Sequence, residues 1–154
     1  HALVSVLEEA FFFHTIARSS QLGIETKGSN VLTENYSIFR PEVLTGPGGG
    51  GIGAQKNTKF LEALLKYDVV AIAGQAKSHC VAWTIDDLLT GINAIDPTLA
   101  RKVYLIEDLT SPVVIPGVYD FSDDANAAFE KFRGAGMHVV KSTDPIEDWP
   151  GVKL

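Results

Sequence analysis

The stretch "DVVAIAGQAKSHCVAWTIDDLL" (residues 68–89) decides the fold. It opens with a nearly continuous apolar run, 68–74, of the kind found in strands covered on both faces, as in a parallel sheet. A short polar turn follows. Val81, Ile85, Leu88 and Ile92 then recur at helical spacing, which predicts a helix over about 80–92. The turn between strand and helix carries Cys80, the chain's only cysteine.

Downstream the pattern repeats. "KVYLIED" (102–108) reads as a second buried strand and "MHVVKS" (137–142) as a last one. Between them "SDDANAAFEKFRGAG" reads as a helix. Ser122 is its expected cap, Asp123 and Asp124 suit the positive end of its dipole, and Gly134 or Gly136 stops it. The tail "TDPIEDWPGVKL" is expected to be irregular.

Upstream, "NTKFLEALLKY" (57–67) predicts a helix capped by Asn57 or Thr58, with Phe60, Leu61, Leu64 and Leu65 inward. "GIETK" (23–27) is a short candidate strand ending at Lys27. Segment 2–18, "ALVSVLEEAFFFHTIAR", sets Leu3, Val6, Leu7, Ala10, Phe11, His14 and Ala17 on one helical stripe, widened by Phe12, Phe13 and Ile16. That width predicts a well-buried helix with His14 as a core histidine. Strands alternating with helices predict an α/β fold: a doubly wound parallel sheet with helices on both faces, in a single domain spanning 1–154.

Segment 28–57 reads mostly as loop and contains "GPGGGGIGAQ" (46–55). A phosphate cradle needs a preceding strand and Gly-Lys-Ser/Thr running into a helix, but Gly53 is followed by "AQKNT". The expectation is therefore a mobile flap or subunit contact over the active edge, not a nucleotide site.

Composition narrows the class. Apolar residues make up 45% and charged residues 21% of 154 residues, ordinary for one globular domain. A formal net charge of -6 with no basic stripe argues against nucleic acid as a partner. One cysteine cannot form an internal disulfide, and no apolar run approaches the ~20 residues that span a bilayer. The expected compartment is the cytoplasm, with no membrane partner. The chain begins at His1 and its only Met is Met137, so it is expected to be a piece of a longer polypeptide.

In a parallel sheet, ligands bind beyond the carboxyl ends of the strands. Cys80 falls at that edge, at a helix N-terminus whose backbone N–H groups stabilise a thiolate and can hold an oxyanion. A structural cysteine needs neither. No second cysteine exists for CxxC redox chemistry, and no Cys or His cluster has metal-ligand spacing.

The segment "VVAIAGQAKSHCVAWTIDDLL" resembles the nucleophile segment of the isochorismatase-like cysteine hydrolases, especially the nicotinamidases. "TKGSN" followed by "ENYSIF" resembles that family's strand-end Lys and its Tyr/Ser/Phe segment. "LIEDLTSP" and "NAAFEKFRGAGMHVV" resemble its last third. The resemblance implies Cys80 as nucleophile and Lys27 as the lysine that assists it. It implies an oxyanion hole at the N–H groups of Ala76 and Cys80, with a cis peptide at Gln75–Ala76. Tyr36, Phe39, Gln75 and His79 are the expected substrate-binding residues; the two aromatics are expected either to line a pocket for a flat ring or, equally, to pack into the core. The implied reaction is hydrolysis of a small amide, most like nicotinamide, through a Cys thioester.

The chain departs from the family in two ways. The family's triad aspartate ends its first strand, whereas every Asp here follows the Lys27 segment. "KSH" (77–79) replaces the common Thr-Asp pair, so Lys77 is expected to place a positive charge near the thiol. No cofactor is expected within this chain. A divalent metal such as zinc would require ligands in a preceding N-terminal part, together with the missing first strand or strands. The expected partners are the amide substrate and either a second copy or that N-terminal part. The competing reading is a non-catalytic binding or scaffold protein of the same fold.

Overall fold

The computed structural model describes residues 3–153. Its centre is a three-stranded parallel sheet in the order β1 (Val70–Ile72), β2 (Val103–Ile106), β5 (His138–Val140). The α/β fold with a parallel sheet expected from the sequence is the fold observed. Helix α3 (Ala82–Ile95) connects β1 to β2, and α4 (Ser122–Gly134) lies between β2 and β5. Two right-handed crossovers running the same way across a sheet put both helices on one face.

That face holds the main core. Register pairs Val70 with Val103 and Ile72 with Leu105, and Leu105 with Val139. Of these, Ile72, Val103, Leu105 and Val139 meet Val81, Ile85, Leu88 and Ile92 of the turn and α3, and Phe129 and Phe132 of α4. Ile85, Leu88 and Ile92 are fully buried, as their spacing predicts. The helices that a doubly wound sheet carries on its second face are not among the described elements. There Tyr104 stacks on Trp149 at 5.4 Å and its hydroxyl donates to the Pro150 carbonyl at 2.6 Å. The irregular tail thus closes the second face, with Trp149 buried.

Helix α2 (Thr58–Leu64) starts where the sequence places its cap: the Asn57 side chain accepts from the Phe60 N–H at 3.2 Å. Leu61 of α2 lies against Gly91 of α3, where no larger residue leaves it room. Ser122 is not the cap of α4. It is the first helical residue, and Asp120 Oδ1 accepts its N–H at 2.8 Å; the Ser122 side chain, and then this N–H, hold the Asp120 carboxyl below its usual range. Gly136, at φ 99°, turns the chain out of α4.

Other expectations are corrected. Helix α1 (Ser5–Arg18) forms, but none of its residues is buried; Phe12, Phe13 and Ile16 are about 60% exposed and His14 is exposed, so it is no core histidine. Periodicity specifies a helix, not the surface that covers it. Ala2, the first residue of the predicted span, lies outside the described residues. "GIETK" is not a strand, because no described strand pairs with it. A hairpin that the sequence reading did not include, β3 (Val114–Ile115) and β4 (Tyr119–Asp120), turns through Pro116 and Gly117. The three sheet strands are shorter than the apolar runs that predict them.

Candidate active site

Cys80 sits in the turn that links β1 to α3. Gly74 leaves the strand at φ 125°, a conformation that a side chain would strain. The Gln75–Ala76 peptide is cis. Residues 77–81 then form a π-type turn in which the Ala76 carbonyl accepts from His79 N–H at 3.0 Å and from Val81 N–H at 3.1 Å. Such turns are rare and recur at functional sites.

Residues 109–113, which follow β2, lace this turn in place. Gly74 N–H donates to the Leu109 carbonyl at 3.1 Å, and Lys77 N–H to the Ser111 carbonyl at 2.8 Å. Gln75 Nε2 donates to Ser111 Oγ at 2.8 Å, and Val113 N–H to Ser78 Oγ at 3.0 Å. The thiol therefore rides on a braced backbone, half-buried. The Ala76 N–H has no protein acceptor among the described residues, which leaves it available to an oxyanion.

Cys80 opens onto a cleft of about 310 Å³ that Lys27 and Gln75 also line. Its walls include Ile72 of β1 and Thr84 of α3. The Lys27 ammonium donates to the Tyr36 carbonyl at 2.6 Å, tying its segment to "YSIF". That segment is held in turn by α3: Ile38 N–H donates to Thr84 Oγ1 at 3.3 Å, and Arg40 pairs with Asp87 at 3.1 Å. Residues distant in sequence thus meet at one edge of the sheet. Glu25 lines the same cleft; the sequence reading passed over it. Its spacing to Lys27, i and i+2, was the available signal, since such pairs share one side of an extended chain.

Four residues expected at the site lie outside the lining of the Cys80 cleft. Phe39 is 4% exposed and stacks on Phe60 at 5.5 Å; it is core, because its segment packs down onto α2 and α3. His79 does not line the Cys80 cleft. Its Nδ1 lies 2.8 Å from Ser78 Oγ, and its ring meets Phe121 edge-on at 4.8 Å and Tyr36 at 6.0 Å. Lys77 turns away from the thiol: its ammonium donates to Asn126 at 2.8 Å and lies 4.5 Å above the Phe129 ring. Tyr36 is half-exposed beside Trp83, at 5.8 Å, next to the cleft rather than in it.

The glycine run does not cover the cleft. It closes on itself, Thr45 bridging to Gly51, and the Asn30 side chain holds the Ile52 carbonyl at 2.8 Å. None of residues 46–55 lines the Cys80 cleft.

Among the described residues no three His, Cys, Asp or Glu side chains are grouped to hold a metal ion. No described helix is long and apolar enough to cross a membrane.

The fold is similar to a solved structure described as "Acinetobacter baumanii nicotinamidase pyrazinamidease", with a TM-score of 0.45 and 21% identity. The match covers 73% of this chain and 44% of that one, so the chain spans less than half that protein's length. No protein-family model and no curated protein matches the sequence.

Proposed function

We propose that the chain is a cysteine hydrolase that deamidates a small amide of the nicotinamide kind. The observation that carries this reading is the meeting of Cys80 and Lys27 in one cleft beyond the carboxyl end of β1, across 53 residues of sequence. A lone structural cysteine would need neither the cleft nor the ammonium.

In this reading the Cys80 thiolate attacks the amide carbonyl carbon. Charge develops on the carbonyl oxygen, and the Ala76 and Cys80 N–H groups receive it. Lys27, held by the Tyr36 carbonyl, stabilises the anionic sulfur before attack. The nitrogen takes a proton from solvent and leaves as ammonia, a thioester remains, and water hydrolyses it to the carboxylic acid, which returns the thiolate to Cys80 and a proton to solvent. The exposed rings of Tyr36 and Trp83, beside the turn, support a flat aromatic substrate.

The test is ammonia release from nicotinamide by the purified protein, with Cys80→Ala as control. Release that Cys80→Ala abolishes supports the proposal. Absence of release from nicotinamide and from simple aromatic amides would leave the non-catalytic reading in its place.

A further inference from the structure

A groove runs between α2 and α3, and none of the residues that line the Cys80 cleft lines it. It holds about 300 Å³, at the low end for a small-ligand pocket, with room for one ring and its head group. Phe39, Leu61, Ala94 and Ile95 give it apolar walls. The groove exists because α3 carries small residues here. Leu61 reaches to within 2.2 Å of where a Gly91 Cβ would stand, and Ala94 continues that stripe. Asp87, one turn before Gly91, heads the same stripe and also lines the groove.

We propose that this groove is a second small-molecule site, built for a neutral primary carboxamide on an apolar body about the size of one ring. The proposal goes beyond the hydrolase reading and does not depend on it. It starts from Asp87. Asp87 Oδ1 accepts from Arg40 Nε at 3.1 Å, but Oδ2 is buried with no hydrogen-bond partner among the described residues. A buried acceptor without a donor is destabilising, and a ligand N–H that reaches it removes that cost. The last bond of an Asp side chain turns through a broad range, so a small rotation presents Oδ2 to the groove. Arg40 gives only its Nε to Asp87 and keeps its Nη groups as further donors.

The head group follows from the charges. Arg40 offsets Asp87, and the other two ions that line the groove, Lys56 and Glu62, are opposite in sign. A neutral ligand enters such a groove without adding an uncompensated charge; a carboxylate or an ammonium adds one. Among neutral groups, a primary amide complements the Asp87–Arg40 pair. Its N–H donates to Asp87 Oδ2 while its carbonyl accepts from an Arg40 Nη. A hydroxyl carries donor and acceptor on one atom and spans the pair less well. The apolar walls take the rest of the molecule.

The probe is benzamide, compared with benzoate and ethylbenzene. Binding is read from backbone amide NMR shifts in the Cys80→Ala protein, which has no thiol to attack the amide. Benzamide should give saturable shifts at Leu61, Gly91 and Ile95, and benzoate and ethylbenzene should bind about tenfold more weakly or worse. Asp87→Asn keeps an oxygen for Arg40 but sets an N–H donor in place of Oδ2, so benzamide affinity should fall about tenfold or more. Ala94→Phe sets a ring in the groove and should abolish the shifts. Absence of saturable shifts at these residues overturns the proposal, as do shifts confined to the Cys80 turn. Equal affinity for benzoate or ethylbenzene means an apolar groove without amide selectivity, and also overturns it. So does unchanged benzamide affinity in either variant. If one variant fails to fold, the other variant and the comparison of probes decide.

Discussion

The Lys27 ammonium is fastened to the Tyr36 carbonyl at 2.6 Å while its side chain lines the cleft of Cys80. One bond thus fixes a charged group from an otherwise irregular segment at the mouth of a braced turn. Lys27→Met removes the charge and keeps much of the stem. Cys80 alkylation near neutral pH should slow by about tenfold, because a thiolate loses its opposite charge. Urea unfolding should change by less than about 1 kcal/mol, as expected for an exposed side chain. Equal alkylation rates in the two proteins would show that Lys27 does not act on the thiol.

Lys77 gives the contrasting case. It lies three residues from Cys80 in sequence, yet its ammonium is spent on Asn126 and the Phe129 ring. Lys77→Met should leave the alkylation rate of Cys80 within about twofold and lower stability by roughly 1 kcal/mol, the loss of a partly exposed cation–π contact. A large fall in alkylation would restore the sequence expectation that Lys77 tunes the thiol.

These two lysines also show what sequence can and cannot specify. Val81, Ile85, Leu88 and Ile92 were legible because helical period is a one-dimensional signal, and their burial followed from it. The three sheet strands were legible as apolar runs, and Cys80 as the residue at the end of the first. Where a side chain points is a different matter. Lys77 and Lys27 are both lysines near a motif, and only the tertiary path sends one to α4 and the other to the cleft. Phe39 and Tyr36 lie in one short segment, yet Phe39 sinks onto Phe60 while Tyr36 stays half-exposed. The stripe of α1 encoded a helix without encoding a cover. The hairpin at 114–120 carried Pro116-Gly117, a turn signal, but its strands are two residues each and leave no period to read.

Asp108 makes stability depend on acid pH. Its carboxylate accepts the Ser142 hydroxyl at 2.6 Å and the Ser142 N–H at 2.8 Å, joining the chain just after β2 to the chain just after β5. The Ser142 side-chain and backbone bonds hold the Asp108 carboxyl below its ordinary value of 3.8. A depressed folded-state value means that the ionised form favours folding. The contribution is therefore complete above 3.8 and is lost as pH falls through the lower folded-state value. The stability difference between wild type and Asp108→Ala in urea should be flat from about pH 7 to about pH 5, and should shrink towards about pH 2. A difference that stays constant down to the acid limit would mean that Ser142 contributes nothing through ionisation.

Trp149 tests the closure of the second face. It is 6% exposed and stacks on Tyr104, which also stacks with His138 at 4.8 Å. Tyr104 is fully covered only because the tail folds back, and its hydroxyl finds the Pro150 carbonyl there. That burial also raises the Tyr104 hydroxyl above its ordinary range. Trp149→Ala removes the stacked ring and exposes the face of β2, so unfolding free energy should fall by roughly 3 kcal/mol, the low end for a buried tryptophan. Because the lost area lies on the face opposite α3, the Cys80 turn keeps its bonds to residues 109–113. Measured under conditions where the variant remains folded, alkylation of Cys80 should proceed at the wild-type rate. A variant of unchanged stability would mean that the tail does not hold the sheet. A variant that stays folded but loses its thiol reactivity would mean that the two faces of this sheet are coupled through β2.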